Sequence, residues 1–237
     1  MRVEAEPAYI LHQRPYRETS LLLDVFTCNY GRIGLVARGA KRPKSGQAVL
    51  LQPFRPLILF YSRRGELGNL QHVETAATNF PITGVSMLAG FYINELVIRL
   101  LHREDPHTEL FAAYEKVLTD LETRQQEALR YFEMDLLEAI GFGPVLDHDV
   151  ISGEPLIANG LYQYVSERGP SAEKYVPGEH VNIHGRTLLE LANRSLGSAT
   201  SLKEAKYLLR QEIGWHLGGR PLASRELYQA YLHNRGN

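Results

Sequence analysis

The densest run of charge in this chain is Arg38-Gly39-Ala40-Lys41-Arg42-Pro43-Lys44. Its glycine and proline keep it out of regular structure, so its four cations are exposed and mobile yet tethered at both ends, as contact with a phosphate backbone requires. Arg14, Arg17, Arg32, Arg63 and Arg64 fall at other turns or strand ends nearby. Tyr9, Tyr16, Tyr30 and Tyr61 are rings on which bases could stack, and each fits a core or edge-packing role at least as well. A second cationic group, Lys203, Lys206, Arg210, Arg220 and Arg225, lies far along the chain. Lys203, Lys206 and Arg210 share helical spacing and project from one face, opposite Leu202, Ala205, Leu209 and Ile213. Plain solubility is the competing explanation for both groups.

Residue types suited to catalysis do not assemble into a motif. The string from Gly39 to Gly46 holds Lys44-Ser45 but lacks the glycine that a phosphate-cradling loop places before its lysine. No dinucleotide fingerprint, zinc-protease helix motif or serine-hydrolase elbow occurs. Asp147-His148-Asp149 offers oxygen and imidazole ligands, but three consecutive residues do not easily converge on one ion, and a solvated turn is the expectation. Glu133, Asp135 and Glu138 share a helical segment whose apolar stripe takes the inner face, which leaves them solvated. Cys28 is the only cysteine, so neither an intrachain disulfide nor a cysteine-rich zinc site can form. The expectation is a protein that is not an enzyme and that uses no nucleotide and no metal.

The elements that must position these cations change character near residue 80. Before it, short apolar runs at Ala8–Gln13, Thr19–Thr27, Ile33–Val36, Pro56–Ser62 and Leu67–Thr75 alternate with turn residues. Five short strands in residues 1–80 suit a small barrel of OB-fold size, and a small open sheet fits the same pattern. After it the period becomes helical. Val85–His102 is apolar nearly all round, Asp105-Pro106 supplies a cap and a first-turn proline, and Leu110 to Leu121 and Leu129 to Ile140 carry stripes, the second ended by Gly141. Glycines and prolines interrupt residues 143–180, where Leu161–Val165 reads as a strand of a hairpin-bearing insert. Helices resume at Thr187–Asn193, at Ser201 with Glu204 as a capping box, and at Ser224. The fold class is therefore α+β and multidomain: a five-stranded OB-fold barrel over residues 1–80, then a mainly helical domain over 81–237 carrying the hairpin insert.

Charge follows the same division. The formal net charge of −1 over 237 residues argues by itself against a nucleic-acid partner. Residues 1–80, however, hold 11 Lys and Arg against 6 Asp and Glu, and the remainder holds 15 against 21. A basic front and an acidic back suit different partners. The N-terminus carries Glu4, Glu6 and Pro7 where a secretory leader would be apolar, and the greasiest stretch, Val85 to Leu101, contains Asn94, Glu95 and Arg99. The expectation is a cytoplasmic protein with no membrane partner.

Several separated strings, in order, resemble one family. They are Tyr9-Ile10-Leu11-His12, Arg14-Pro15-Tyr16-Arg17-Glu18-Thr19-Ser20, Leu23-Asp24-Val25-Phe26-Thr27, Gly31-Arg32, Val36 to Lys41 and Leu51-Gln52-Pro53-Phe54 at the front. Gly90-Phe91-Tyr92-Ile93-Asn94-Glu95-Leu96 stands in the middle, and Leu217 to Leu227 near the end. The chain resembles the RecO family of bacterial recombination mediators over nearly its whole length. The resemblance implies an OB-fold followed by a helical domain, and it implies DNA repair. It further implies binding of single- and double-stranded DNA, annealing of complementary strands, engagement of the single-stranded DNA-binding protein SSB through its C-terminal tail, and action with RecR to help RecA load, all without nucleotide hydrolysis and in association with the nucleoid. The alternative is an OB-fold protein–protein adaptor without direct nucleic-acid binding.

On this reading the DNA-binding candidates are Arg14, Arg17, Arg32, Arg38, Lys41, Arg42, Lys44, Arg63, Arg64, Lys206, Arg210 and Arg220. Similarity to members that bind the SSB tail implies an apolar groove rimmed by cations, with Arg130, in Ala128-Leu129-Arg130-x-Phe132, as the candidate and Leu129 and Arg124 beside it. Many members carry a four-cysteine zinc site in the insert, and residues 143–180 contain no cysteine, so no zinc is expected.

Overall fold

The computed structural model describes residues 1–43, 45–76, 82–173 and 180–235, apart from the side chains of 232, 234 and 235. Lys44 and residues 174–179 of the expected insert lie outside the described residues. The chain forms two compact units, Met1–Glu122 with Leu222–Asn237, and Thr123–Pro221. The change from strands to helices thus falls near residue 80 while the compact units divide elsewhere, because the next two helices pack with the barrel.

In the first unit, strands β1 (Arg2–Tyr16), β2 (Ser20–Thr27), β3 (Gly31–Ala37), β4 (Leu57–Arg63) and β5 (Leu67–Thr75) close a barrel in the order β1-β2-β3-β5-β4. The β3–β5 pair is parallel and every other pair antiparallel, which is the OB-fold arrangement. Period-2 alternation sends Ile10, Leu21, Leu23, Val25, Ile33, Leu35, Leu57, Leu59 and Tyr61 inward. Each such large side chain contributes roughly 1.5–3 kcal/mol by leaving water. A four-residue helix, α1 (Gln47–Leu50), lies between β3 and β4.

Strand β1 is longer than its apolar run because it serves two neighbours, β4 through Arg2–Ala8 and β2 through Ala8–Tyr16. Register shifts between Val3 and Glu6 and between Ile10 and His12 bend it to do so, the first with Ala5 at φ 56°. The second bulge leaves the Leu11 carbonyl outside the ladder, where the Asn94 side chain donates to it at 2.8 Å. Asn94 belongs to α2 (Gly84–Leu100), and its Oδ1 accepts the Tyr114 hydroxyl of α3 (Thr108–Asp120) at 2.7 Å. Around that seam Tyr114 meets Tyr9 and Phe26 edge to face, and Phe111 meets the same two rings at a tilt. Helix α3 begins three residues beyond the expected Asp105 cap. Residues 103–105 instead run along β3: Arg103 bridges Arg32, the Glu104 amide donates to the Arg32 carbonyl at 3.0 Å, and the Asp105 carbonyl lies where a Cβ on Gly31 would stand.

The second unit holds α4 (Gln125–Ala139), a three-stranded sheet of β6 (Leu161–Val165), β7 (Gly169–Ser171) and β8 (Val181–His184), then α5 (Gly185–Ala192) and α6 (Ala199–His216). The expected hairpin is the β6–β7 pair, and β8 adds to the far edge of β6. Phe132, Leu136, Leu137, Tyr164, Ile183, Leu188, Leu208 and Ile213 fill its core. Helix α6 is capped by Ser198, whose hydroxyl accepts the Ser201 amide at 3.0 Å, rather than by Ser201 itself. Glu204, the expected capping partner, instead accepts from the Thr187 hydroxyl and sits 2.6 Å from His184 Nδ1.

The chain then returns to the first unit as α7 (Ala223–Arg235) against α2. Ser224 stands inside its first turn. The Glu95 carboxylate of α2 accepts the Ala223 amide at 2.9 Å, the Ser224 amide at 2.8 Å and the Ser224 hydroxyl at 2.6 Å, satisfying donors that a helix N-terminus leaves open. Burial opposes ionisation of Glu95, but these bonds and Arg99 hold its carboxyl below the ordinary range.

Candidate nucleic-acid interface

One open groove of about 670 Å³ runs along the barrel and gathers residues from four segments. The β1–β2 turn supplies Tyr16 to Ser20, the end of β3 supplies Val36, Arg38 and Gly39, the following loop supplies Arg42, and the start of β5 supplies Leu67 to Asn69. Register explains the floor. Arg14 lies opposite Leu22, Leu22 opposite Val36, and Val36 beside Asn69. Directly paired residues share a face, and the alternate positions Leu21, Leu23, Leu35 and Ala37 fill the core, so this row faces outward. Oligonucleotides meet OB-folds on the β2–β3 face and at the β1–β2 and β4–β5 loops.

The basic loop is not the mobile tether its composition suggests. Ala40 is buried in the barrel core, and the Lys41 amide donates to the Thr19 carbonyl at 2.9 Å. The Arg42 amide donates to Gly39 at 3.0 Å and the Ser45 hydroxyl to Ala40 at 2.7 Å. The loop is therefore stitched to the β1–β2 turn, and Arg38, Lys41 and Arg42 project, exposed, from an ordered frame. Arg17 faces them from that turn at φ 54°, with its guanidinium 5.3 Å from the Tyr16 ring centroid. The left-handed conformation costs a side-chain-bearing residue about 1–2 kcal/mol, so the turn holds an arginine where glycine would be easier.

Pairing separates the candidate cations into two sets. Among the described residues, Arg14, Arg17, Arg38, Lys41, Arg42 and Arg64 are exposed and form no ion pair. Arg32 pairs with Asp24 at 3.6 Å beside Arg103, which itself pairs with Asp24 at 2.9 Å. Burial lowers the Arg32 guanidinium pKa, Asp24 opposes that, and Arg103 adds to it. Arg63 pairs with Glu104, and its Nε donates to the Gly65 carbonyl at 2.7 Å. Arg32 and Arg63 thus serve the barrel's own structure. The tyrosines divide too. Tyr61 is fully buried, and Tyr9 is buried with its hydroxyl on Glu115, so neither can stack on a base. Tyr30 packs against the core, and Tyr16 alone lines the groove. Sequence reasoning missed Thr19, Leu67 and Asn69, which carry no charge and join the groove through the β1–β2 turn in the first case and strand register in the other two.

The second unit rearranges its candidates. Lys206, Arg210 and Arg220 are exposed without ion pairs among the described residues. Arg124 is exposed before α4, and Leu129 is half-buried. Arg130 is only 7% exposed and points its guanidinium at Glu133, 2.5 Å away, so it offers no cation to a surface groove. Glu133 is buried with it and Asp135 pairs with Arg194, so of that acidic trio only Glu138 is exposed.

Asp147, His148 and Asp149 diverge. Asp147 and His148 contact each other at the surface, while the buried Asp149 accepts the Ile151, Ser152 and Ala172 amides at 2.9, 3.1 and 2.6 Å. Burial raises its carboxyl, but these bonds prevail and hold it below the ordinary range. The described residues of the insert do not offer a zinc ion its usual ligands. The insert has no thiolate, its buried carboxylate is spent on backbone amides, and the Tyr162 and Tyr164 hydroxyls accept the Ile157 and Val145 amides at 2.9 and 3.0 Å. Among the described residues no three His, Cys, Asp or Glu converge as a metal site, and no helix is long and apolar enough to cross a membrane.

Residues 1–79 match the family model for the N-terminal domain of recombination protein O, and residues 83–226 match that for its C-terminal domain. The chain is 46% identical to a DNA repair protein RecO of Methylococcus capsulatus over 97% of this chain and 94% of that one. It is 44% identical to the DNA repair protein RecO of Nitrosococcus oceani over 100% of this chain and 97% of that one. A third relative of the same name, from Nitrosospira multiformis, is 42% identical over 97% of this chain and 96% of its own.

Proposed function

The chain belongs to the RecO family of DNA repair proteins, and on that premise we propose that its barrel groove holds the backbone of single-stranded DNA during recombination-coupled repair. The observation that carries this reading is the convergence of Arg17, Arg38 and Arg42, unpaired and from separate segments, around one open groove of an OB-fold. Cations without protein partners release counterions on meeting phosphates, which is the main source of affinity for a nucleic-acid backbone. Tyr16 supplies a stacking surface at the groove's end, and Asn69 and Thr19 supply polar groups along it.

The protein acts as a mediator, not an enzyme. It binds single- and double-stranded DNA and anneals complementary strands. It engages the SSB tail through its helical unit and works with RecR to help RecA load on SSB-coated strands, in the cytoplasm at the nucleoid. It needs no nucleotide and no metal, and the Asp149 network takes the place of a metal in ordering the insert. The groove contributes electrostatic competition: each phosphate it holds is one that SSB does not.

The test is fluorescence anisotropy of a labelled single-stranded oligonucleotide titrated with the full chain across a salt series. Binding that weakens steeply with salt, and is lost largely on replacing Arg17, Arg38 and Arg42 by alanine, is the expected result. Absence of binding at low salt overturns it and favours the protein–protein adaptor.

A further inference from the structure

Helix α6 sorts its side chains by charge and by ring. Its two carboxylates are drawn in: Glu212 is buried with Ser166 donating to it at 2.7 Å, and Glu204 is tied to Thr187 and His184. Lys203, Lys206 and Arg210 point out, exposed and without ion pairs among the described residues. Two aromatic rings accompany them, Tyr207 at 57% and Trp215 at 56% exposure, whereas Leu208, Leu209 and Ile213 are buried. At 100° per residue, Lys203, Tyr207, Arg210 and Gly214 form one stripe about 60° wide; Lys206 flanks it about 40° to one side and Trp215 about 80° to the other, about 12 Å along the axis from Tyr207, so a strand held by all of them crosses about half the helix circumference. Gly214 costs a helix interior about 1 kcal/mol relative to alanine, and packing does not ask for it, since a Cβ there would meet nothing within 4 Å. It leaves a bare strip of backbone on the stripe, about two turns beyond Tyr207.

We infer that this face of α6 is a second binding track for single-stranded nucleic acid, with Tyr207 and Trp215 stacking bases and Lys203, Lys206 and Arg210 holding phosphates. The inference rests on the nucleic-acid reading of the protein but concerns a different surface, on a different compact unit from the barrel groove. Cations alone would fit an acidic peptide equally well. Exposed flat rings interleaved with them favour a polyanion that also presents π-faces, because each stacked base contributes roughly 1–3 kcal/mol irrespective of sequence.

Trp215 is the only tryptophan in the chain, so it reports its own surface. The full chain, selectively excited at tryptophan, is titrated with an oligothymidylate while anisotropy of a labelled strand follows total binding. The experiment is repeated in the Arg17→Ala/Arg38→Ala/Arg42→Ala background. Saturable quenching that persists in that background, reverses with salt, and shifts roughly tenfold toward weaker binding in Tyr207→Ala is expected. Lys203→Ala/Lys206→Ala/Arg210→Ala should abolish it; all four replaced residues are exposed and alanine favours helix, so folding is not at stake. Anisotropy showing binding while Trp215 emission stays unchanged overturns this inference and leaves the barrel reading standing. Quenching with total binding by anisotropy left unmoved by the groove-arginine replacements does the reverse. Quenching by an acidic peptide but not by the oligothymidylate also overturns it.

Discussion

Replacing Arg17, Arg38 and Arg42 by alanine should change the salt dependence of DNA binding by an amount fixed in advance. For single strands, the slope of log K against log salt is about −0.7 per phosphate neutralised. Three lost contacts flatten it by about 2, so a fourfold rise in salt costs the unaltered protein roughly 20-fold more affinity than the variant. The structure supplies its own control. Arg32 and Arg63 sit on the same barrel, with side chains only 12% and 16% exposed and already paired with Asp24 and Glu104. Arg32→Ala and Arg63→Ala should leave the slope unchanged and lower stability, because the first leaves Asp24 with Arg103 alone and the second removes the Glu104 pair and the bond to the Gly65 carbonyl. Exposed surface substitutions such as the three groove arginines are normally neutral to within about 0.5 kcal/mol, so thermal melts should not move. The assay is anisotropy across a salt series for each variant. An unaltered slope in the triple variant, or equal flattening by Arg32→Ala, would refute the division into paired and unpaired cations.

Four further outcomes follow from particular contacts. Asn94→Ala removes the amide that serves the Leu11 carbonyl and the acceptor of the Tyr114 hydroxyl. It should cost about 3 kcal/mol, and combination with Tyr114→Phe in a denaturant double-mutant cycle should be less than additive; additivity would show that the two do not act together. The Tyr61 hydroxyl is buried with no hydrogen-bond partner among the described residues, so Tyr61→Phe should be neutral or stabilise by about 1 kcal/mol in thermal melts and leave DNA affinity unmoved. Glu95 has its carboxyl pKa depressed in the folded state, so its contribution is full above the unfolded value near 4.3 and is lost as pH falls through the lower folded value. The stability gap between the unaltered chain and Glu95→Gln should therefore be flat from neutral pH to about 5 and close below about 4; a constant gap would contradict the assignment. Arg17→Gly should hold or raise stability by up to about 1 kcal/mol while flattening the salt slope by about 0.7, since glycine relieves the positive φ and removes one cation.

What the sequence disclosed, and what it hid, follow from the range of the interactions involved. Alternating apolar residues marked all five barrel strands, because period 2 is local. The front half of β1 escaped notice because Glu4, Glu6 and Pro7 break the alternation there, and its strand character comes from pairing with β4 more than 50 residues on. Asp105-Pro106 carries good capping chemistry, yet docking of residues 103–105 along β3 and Gly31 claims that segment first. Among the cations, type and turn position were legible, but freedom was not. Arg63 is neutralised by Glu104, 41 residues away, and Arg130 lies on a helix whose buried side only the packed unit defines. Tyr207 and Trp215 stood out by no motif, since an aromatic residue in a helical stretch fits core as well as surface, and only exposure in the fold separates them from core.

The two most distinctive strings shared with the family are not where the groove is. Gly90 leaves room for the Phe54 ring, whose nearest atoms would stand 2.8 Å from a Cβ. Asn94 satisfies a bulged strand, and Glu95 receives the first turn of α7, where Ala223 and Ser224 belong to the late string. Residues 90–96 and 223–225 are thus two halves of one joint within the first unit. A joint of this kind constrains sequence tightly, since a carboxylate, a hydroxyl and a helix start must meet within hydrogen-bond distance. Phosphate contact constrains it loosely, because Lys and Arg substitute for one another on a backbone that carries charge everywhere. The groove is therefore judged on which of its cations the scaffold leaves without an ion pair among the described residues, Arg17, Arg38 and Arg42, and not on the resemblance of its strings.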